Sequence, residues 1–462
     1  MQLPGESQSE NREAPPKFTG WTFLAFDPAD PEAALGQLPS APAVFVLHGA
    51  DSRAEPYIGR TPHLRGRLER LLQPSARHPR RLHLAGLVRR IEWRLTGSDF
   101  ESLLLQFELL QSVFGAKAPN RVPNQAIDRM HLRHPAFVRF LGGNPYPRLV
   151  VTHRPSQREA DWAYGPFPSR TAAERYAEEV LKLFLLRRCT FDLNPDPGFP
   201  GCVYSEMKMC LAPCYKGCSD ERYAGEAAAV ESFLAARGES RLVTLRTQRD
   251  AASANLEFES AAALHAQVER VENLRALASE LVRPMSRLRA VILQASANPG
   301  EVAVFLFENG TLRGPAAFST LGMLEMQGTR EQGNEGRRMQ GLGTRDVGTG
   351  ERGSEGASHP SEQLPLAGGP GREQGSARIL RTVLESRLEV VLAELSAPSA
   401  APSAITRQGH FALLKRWYYR PEVRRSGEIF FPDAEERLPI RAILRGISRL
   451  AAEKVKSSVS VT

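Results

Sequence analysis

Cys189, Cys202, Cys210, Cys214 and Cys218 are all the cysteines of this 462-residue chain, and they fall within thirty consecutive positions. The run closes in Met209-Cys210-Leu211-Ala212-Pro213-Cys214. Thiolates are soft donors, and four that meet at one point hold either an iron–sulfur cluster or a tetrahedral zinc ion. Disulfide formation is the competing chemistry. The first residues, Met1-Gln2-Leu3-Pro4-Gly5-Glu6, are polar and lack the apolar run of a secretion signal. A cytoplasmic chain with reduced, metal-binding thiols is therefore expected.

A second chemistry lies nearer the start. Between positions 60 and 94 stand Arg60, Arg65, Arg67, Arg70, Arg77, Arg80, Arg81, Arg89, Arg90 and Arg94, opposed only by Glu69 and Glu92. Guanidinium forks match phosphate geometry, so this stretch reads as a nucleic-acid surface, with Arg65, Arg67, Arg70, Arg80, Arg81, Arg89 and Arg90 as the DNA-binding candidates. The net charge of +8 suits a polyanionic partner. No apolar run reaches membrane-spanning length, so no membrane partner is expected.

These residues need elements to hold them. Ala43–Leu47 and Pro56–Gly59 read as strands, and Leu64, Leu68, Leu71 and Leu72 form one apolar helical face. Ile91–Leu95 reads as a further strand before a helix that Ser98 caps with Glu101. The reading is a small α/β domain over 41–125, preceded by a mostly disordered leader over 1–40. A cysteine-cluster helical module follows over 160–222, entered by a helix at 170–187. A helical region spans 223–283, and within it 240–283 form a hairpin that breaks near Asn255. Its second arm carries Ala261, Leu264, Val268 and Val271 as an apolar seam. Asn309-Gly310 predicts a β-hairpin inside 286–325. Residues 326–377 are rich in Gly, Arg, Glu and Gln and read as a disordered linker. A short basic C-terminal α+β module is expected over 378–462. The fold class is α/β plus α with a 42% hydrophobic content that supports real cores.

In this order the pieces resemble the amino-terminal half of the bacterial UvrC excinuclease family. Tyr57-Ile58-Gly59 with Arg67-Leu68 is similar to the second half of a GIY-YIG nuclease domain. Tyr164-Gly165-Pro166-Phe167-Pro168-Ser169 with the cysteine phrase is similar to the family's cysteine region. Asn255-Leu256-Glu257-Phe258-Glu259 is similar to the UVR motif. The resemblance implies a DNA nucleotide-excision-repair protein with a single GIY-YIG endonuclease site, whose catalytic positions are Tyr57, Gly59, Arg60, Arg67 and Asn120. It implies a [4Fe–4S] cluster on Cys189, Cys202, Cys210 and Cys214, with Zn²⁺ as the alternative and Cys218 spare. It also implies that Leu256, Glu257, Phe258 and Glu259 dock the UvrB-like helicase subunit.

Two positions depart from the family. Phe45 stands where a catalytic tyrosine is expected, and Gln106 stands where a glutamate would hold Mg²⁺ or Mn²⁺. An uncharged amide is a poor ligand for Mg²⁺. A weakened or lost nuclease is therefore expected, and the alternative is a non-catalytic DNA-binding and partner-docking scaffold. The RNase H-like nuclease and helix-hairpin-helix motifs of the family's other half are not recognisable in the sequence.

Overall fold

The computed structural model describes residues 20–51, 54–73, 84–114, 125–321, 323, 370–398 and 402–459. The chain divides into two compact units, Met1–Val113 and Phe114–Thr462.

In the first unit β1 (Thr22–Ala25) and α1 (Pro31–Gly36) precede β2 (Ala43–Gly49), β3 (Tyr57–Thr61), α2 (Leu64–Leu72), β4 (Val88–Leu95) and α3 (Asp99–Phe114). The sheet has the order β1-β4-β2-β3, with every neighbouring pair antiparallel. Part of the expected leader is thus structured. β1 pairs with β4, and Phe26, Leu35 and Leu38 are buried in the same core as Phe45, Leu68 and Trp93. Four residues of strand and one helical turn carry too short a pattern to read alone. At the head of α3, Ser98 Oγ accepts the Glu101 amide at 3.1 Å, and the Glu101 carboxylate accepts the Gly97 amide at 2.8 Å.

The second unit holds two sheets. α4 (Gln125–Arg129), β5 (Ala136–Phe140) and β6 (Leu149–Thr152) lie in a stretch for which no element was expected. They are followed by β7 (Ala163–Phe167), α5 (Arg170–Leu183), the short α6 (Val203–Glu206) and α7 (Asp220–Ala235). α8 (Glu239–Ala254) and α9 (Phe258–Ala276) form the hairpin, and β8 (Arg283–Pro284) closes the first sheet in the order β6-β5-β7-β8. The cysteine segment is therefore mostly loop, not a helical module: between α5 and α7 the only helical pieces are α6 and a 3₁₀ turn at Pro213–Tyr215.

β9 (Ala290–Ala295), β10 (Glu301–Glu308) and β11 (Thr311–Ser319) build the second sheet. Asn309 (φ 52°) and Gly310 (φ 76°) both sit in the left-handed region, as a two-residue hairpin turn demands. α10 (Pro370–Ser396), α11 (Ala404–Tyr418), β12 (Glu428–Phe430) and α12 (Ile440–Val459) complete the chain. α10 begins inside the stretch expected to be linker; the rest of that stretch, 326–369, lies outside the described residues. β12 pairs antiparallel with β9, and Leu384, Leu388, Ile443 and Ile447 share one core with Val291 and Val304. The hairpin region and the C-terminal stretch are therefore one sheet unit, not two modules. A three-residue strand paired across more than a hundred positions leaves no local signature.

α11 ties the two sheets together. Phe411 makes edge contacts with Phe137 of the first sheet and Phe307 of the second, each with centroids 5.1 Å apart. Lys415 is buried and donates to the His134 carbonyl at 2.9 Å, while the Tyr419 hydroxyl donates to the Pro166 carbonyl at 3.0 Å. Among the described residues no helix is long and apolar enough to cross a membrane.

Candidate functional site

In the first unit the β2–β3 pairing sets Phe45 opposite Gly59 and Leu47 opposite Tyr57. The Phe45 ring is fully buried and lies across Gly59, where a Cβ would sit 2.6 Å from Phe45 Cζ. Glycine is thus required at 59 by close packing rather than by backbone angle. Tyr57 is held 6.1 Å from the Phe45 ring, centroid to centroid, and α2 brings Arg67 Nη2 to 3.5 Å from the Tyr57 hydroxyl. Tyr57, Gly59 and Arg67 therefore come together. Arg60 forms an ion pair with Asp99 at the start of α3. Gln106 is half-buried on α3 and makes no side-chain hydrogen bond among the described residues, whereas Glu108 is exposed. Two residues along a helix is a rotation of about 200°, so Glu108 does not replace it. Asn120 lies outside the described residues.

The arginines are partly committed. Arg65 donates to the Leu38 and Gly36 carbonyls at 2.8 and 3.1 Å, closing the end of α1. Arg70 donates to the Gly66 carbonyl, and Arg89 to those of Gly86 and Val88. Arg90 pairs with Glu92 at 2.5 Å and lies over the Phe23 ring. Arg70, Arg89 and Arg90 remain exposed, and a guanidinium has five donors, so these contacts leave donors for a phosphate. Arg80 and Arg81 lie outside the described residues.

In the second unit the loop after α5 folds back on itself. The Leu211 amide donates to the Leu185 carbonyl at 3.0 Å and the Asp196 amide to the Cys214 carbonyl at 2.9 Å. Ala212 (φ 56°) and Lys216 (φ 58°) turn the chain tightly on either side of Cys214. Cys189, Cys202, Cys210 and Cys214 consequently line one narrow pocket, walled by Phe191, Phe199 and Tyr204. Burial raises Cys210 to about 11, and the Cys189, Cys214 and Cys202 thiols push the same way against the Ala212 amide. Burial, Cys202 and Cys189 also raise Cys214. Cys218 does not line this pocket and packs against the neighbouring apolar core. Among the described residues no three His, Cys, Asp or Glu side chains converge closely enough to share a single metal ion.

A residue absent from the sequence-based reading lines the same pocket. Arg187 is only 1% exposed. It donates to the Tyr146 carbonyl at 2.9 Å and the Phe191 carbonyl at 2.7 Å, and its Nη1 lies 3.7 Å from Cys189 Sγ. Its Nη2 is buried without a partner, and no carboxylate pairs with it among the described residues. Arg148 lies near both Arg187 and Cys189, and Arg188 stands over the Tyr204 ring. A buried cation without a counter-charge is costly. Four thiolates around a cationic metal centre carry net negative charge, so the donor set and its surroundings fit such a group. The only signal in the sequence was the pair Arg187-Arg188 directly before Cys189.

At the far end of the hairpin Leu256 is 71% and Phe258 68% exposed, with Glu257 and Glu259 exposed beside them. Leu242, Leu245, Val268, Val271 and Leu274 fill the seam at the base, whereas Ala261 and Leu264 are only half-buried.

The family model of the UvrC/Cho excinuclease middle domain matches residues 137–233. That span contains all four pocket cysteines and Arg187. The chain is 28% identical over 243 residues to UvrABC system protein C of Alcanivorax borkumensis, covering 53% of this chain and 38% of that protein. To the protein of the same name from Desulforudis audaxviator it is 29% identical over 299 residues, 64% of this chain and 46% of the relative. The chain is UvrC-like. It spans less than half the length of these curated relatives. To a third, from Aromatoleum aromaticum, it is 30% identical over 241 residues, 52% of this chain and 38% of the relative. No solved structure matches.

The Phe45–Gly59 contact is directly testable. Gly59→Ala is expected to destabilise the protein by about 1–3 kcal/mol in urea unfolding, because the buried ring must move. Phe45→Leu in the same background should recover part of that loss. A Gly59→Ala protein as stable as wild type would show that the ring does not occupy this space.

Proposed function

We propose that this chain acts in nucleotide excision repair as a DNA-binding, UvrC-like protein with a metal centre in its cysteine pocket and a nuclease-like site of weakened or lost activity. The observation that carries the reading is the cysteine pocket itself: four thiols and a buried, uncompensated Arg187 lie inside the span that matches the UvrC/Cho middle domain. Cys189, Cys202, Cys210 and Cys214 would hold the group. A [4Fe–4S] cluster suits four thiols that share a pocket without converging on a single-ion point, since a zinc with Zn–S bonds of about 2.3 Å draws its ligands close. When bound, such a cluster supplies one-electron redox capacity and a rigid cross-link for the loop. Arg187 offsets the negative charge of the ligand set and fixes the Phe191 and Tyr146 carbonyls around it.

At the nuclease-like site Arg67 is placed to neutralise charge on a phosphate held near the Tyr57 hydroxyl. Phe45 supplies no hydroxyl, and Gln106 no charge for a divalent metal. Losing a metal carboxylate removes several kcal/mol of transition-state stabilisation, on the order of magnitude of other metal-site losses. The second reading, a non-catalytic scaffold, is favoured by the Arg60–Asp99 pair, which occupies another guanidinium beside the expected phosphate position. The exposed Phe258 is the anchor by which the hairpin would dock a UvrB-like helicase subunit.

Anaerobically purified protein is expected to be brown, with about four irons per chain. Cys210→Ala and Cys214→Ala should lose the metal and Cys218→Ala should retain it. Colourless protein carrying one zinc would overturn the cluster, and metal loss only in Cys218→Ala would overturn the ligand set.

Duplex binding is expected to fall steeply with salt, as counterion release requires. With Mg²⁺ or Mn²⁺ and nicked, bubble or lesion-bearing duplexes, nicking should be slight in wild type and rise in Phe45→Tyr/Gln106→Glu. Efficient wild-type nicking that vanishes in Arg67→Ala would show the site to be intact.

Phe258→Ala should abolish pull-down of the helicase subunit, because truncating such an anchor typically costs about 2 kcal/mol or more of binding. The thermal melt should not move, since the side chain is already 68% exposed. Retained pull-down in Phe258→Ala would place the docking surface elsewhere.

A further inference from the structure

Beneath the hairpin base lies a cavity of about 270 Å³ that none of the preceding chemistry uses. β7 and α5 contribute Tyr164 and Tyr176, α9 contributes Glu272 and Arg275, and Arg237 comes from the turn after α7. Tyr164 and Tyr176 are 2% and 4% exposed, yet neither hydroxyl has a hydrogen-bond partner among the described residues. Buried phenols ordinarily find one. Burial raises both, Tyr176 to about 12, so each remains a protonated donor.

The charges around the cavity are unequal. Glu272 is held by Arg246 at 2.6 Å, and Arg275 is paired with Glu239 at 2.8 Å. Arg237 has no carboxylate partner among the described residues; one Nη donates to the Ser279 carbonyl at 3.2 Å, and its Nε is buried without a partner. One guanidinium without a carboxylate partner and two unused hydroxyls around one cavity form a donor-rich site. Guanidinium forks match phosphate oxygens.

We propose that this cavity binds the phosphoryl group of a phosphate ester, with Tyr164, Tyr176 and Arg237 as its donors. The volume exceeds that of a bare phosphate and leaves room for an attached sugar. This site is independent of the cysteine pocket and of the nuclease-like residues, so its test succeeds or fails separately from theirs.

The test uses calorimetric titration of the full chain at constant ionic strength. The ligands are inorganic phosphate, a deoxynucleoside 5′-monophosphate, the unphosphorylated nucleoside, and a short oligonucleotide with and without a 5′-phosphate. Saturable binding of the monophosphate but not of the nucleoside is expected. Preference for the 5′-phosphorylated oligonucleotide over the monophosphate would identify a DNA end as the source, and the reverse a free nucleotide; either supports the site. Tyr164→Phe/Tyr176→Phe removes only two oxygens that bond nothing in the protein, so its melt without ligand should match wild type. Its affinity should fall on the order of tenfold or more, as expected for hydrogen bonds to a charged group. The proposal is overturned if no phosphorylated ligand saturates in the millimolar range, or if the double phenylalanine variant binds as wild type does.

Discussion

A guanidinium buried to 1% exposure beside four thiols is the constraint on which the middle of this protein depends. Arg187 cannot be accommodated by packing alone. Its Nε and Nη1 each close on a backbone carbonyl, and those carbonyls belong to segments more than forty residues and four residues away, at Tyr146 and Phe191. The Arg187 amide donates to the Tyr223 hydroxyl at 3.1 Å, and that hydroxyl donates to the Pro147 carbonyl at 2.8 Å. One residue thus fastens the β5–β6 connection, the start of the cysteine loop and α7 to a common point. The thiols sit where this fastening leaves them, with the Arg187 Nη1 3.7 Å from Cys189 Sγ.

A different physical logic governs the joint between the two sheets of the second unit. α11 is buried around most of its circumference, so its lysine and histidine are inside. Lys415 is tolerated because its ammonium reaches the His134 carbonyl, and its pKa is lowered to about 8 by burial and by Arg133. His410 Nδ1 accepts the Leu312 amide at 3.0 Å, and burial lowers its pKa to about 4, which keeps it neutral as an acceptor must be. In the run Lys415-Arg416-Trp417-Tyr418-Tyr419-Arg420, Lys415 and Trp417 are therefore buried structural residues. Trp417 is 1% exposed and gives its indole N–H to the Ser426 carbonyl at 3.0 Å. A run of Lys, Arg, Trp and Tyr reads identically on a nucleic-acid surface and inside a polar-lined core, and only the partners tell the two apart.

The same distinction decides how much was legible in the sequence. Elements with a strong local period were readable: the leucine face of α2, the Asn309-Gly310 turn and the hairpin bend at Asn255 each carry their geometry in adjacent residues. Elements defined by distant pairing were not. β1 exists because β4 offers it an edge, and β12 because β9 does, and neither has enough residues to announce itself. At the site, the spacing of Tyr57, Gly59 and Arg67 could be read, but the reason for Gly59 could not, since it is the Phe45 ring on the facing strand. The arginines were the least readable group. Sequence gives their number and sign, whereas the carbonyls that hold Arg65, Arg70 and Arg89 are set by the ends of helices and turns.

The two candidate centres differ in how tightly their surroundings specify them. Around the cysteine pocket every deviation has a cost: Ala212 and Lys216 are held in left-handed backbone, a Cβ at Gly217 would meet Tyr215 at 2.9 Å, and Arg187 is left with a bare donor unless the pocket carries negative charge. Strain of this kind persists only where the surrounding structure over-determines it, and it gathers at functional positions. The nuclease-like site holds no comparable reserve. Phe45 is content in an apolar core, Arg60 has found Asp99, and Arg67 meets Tyr57 at the outer limit of a hydrogen bond. Of the two guanidinium groups there, Arg60 is neutralised within the fold by Asp99, whereas Arg67 keeps its charge and most of its donors. The cysteine pocket, where Arg187 is buried without a carboxylate and the backbone is held in left-handed turns, is the more tightly specified of the two by its own surroundings.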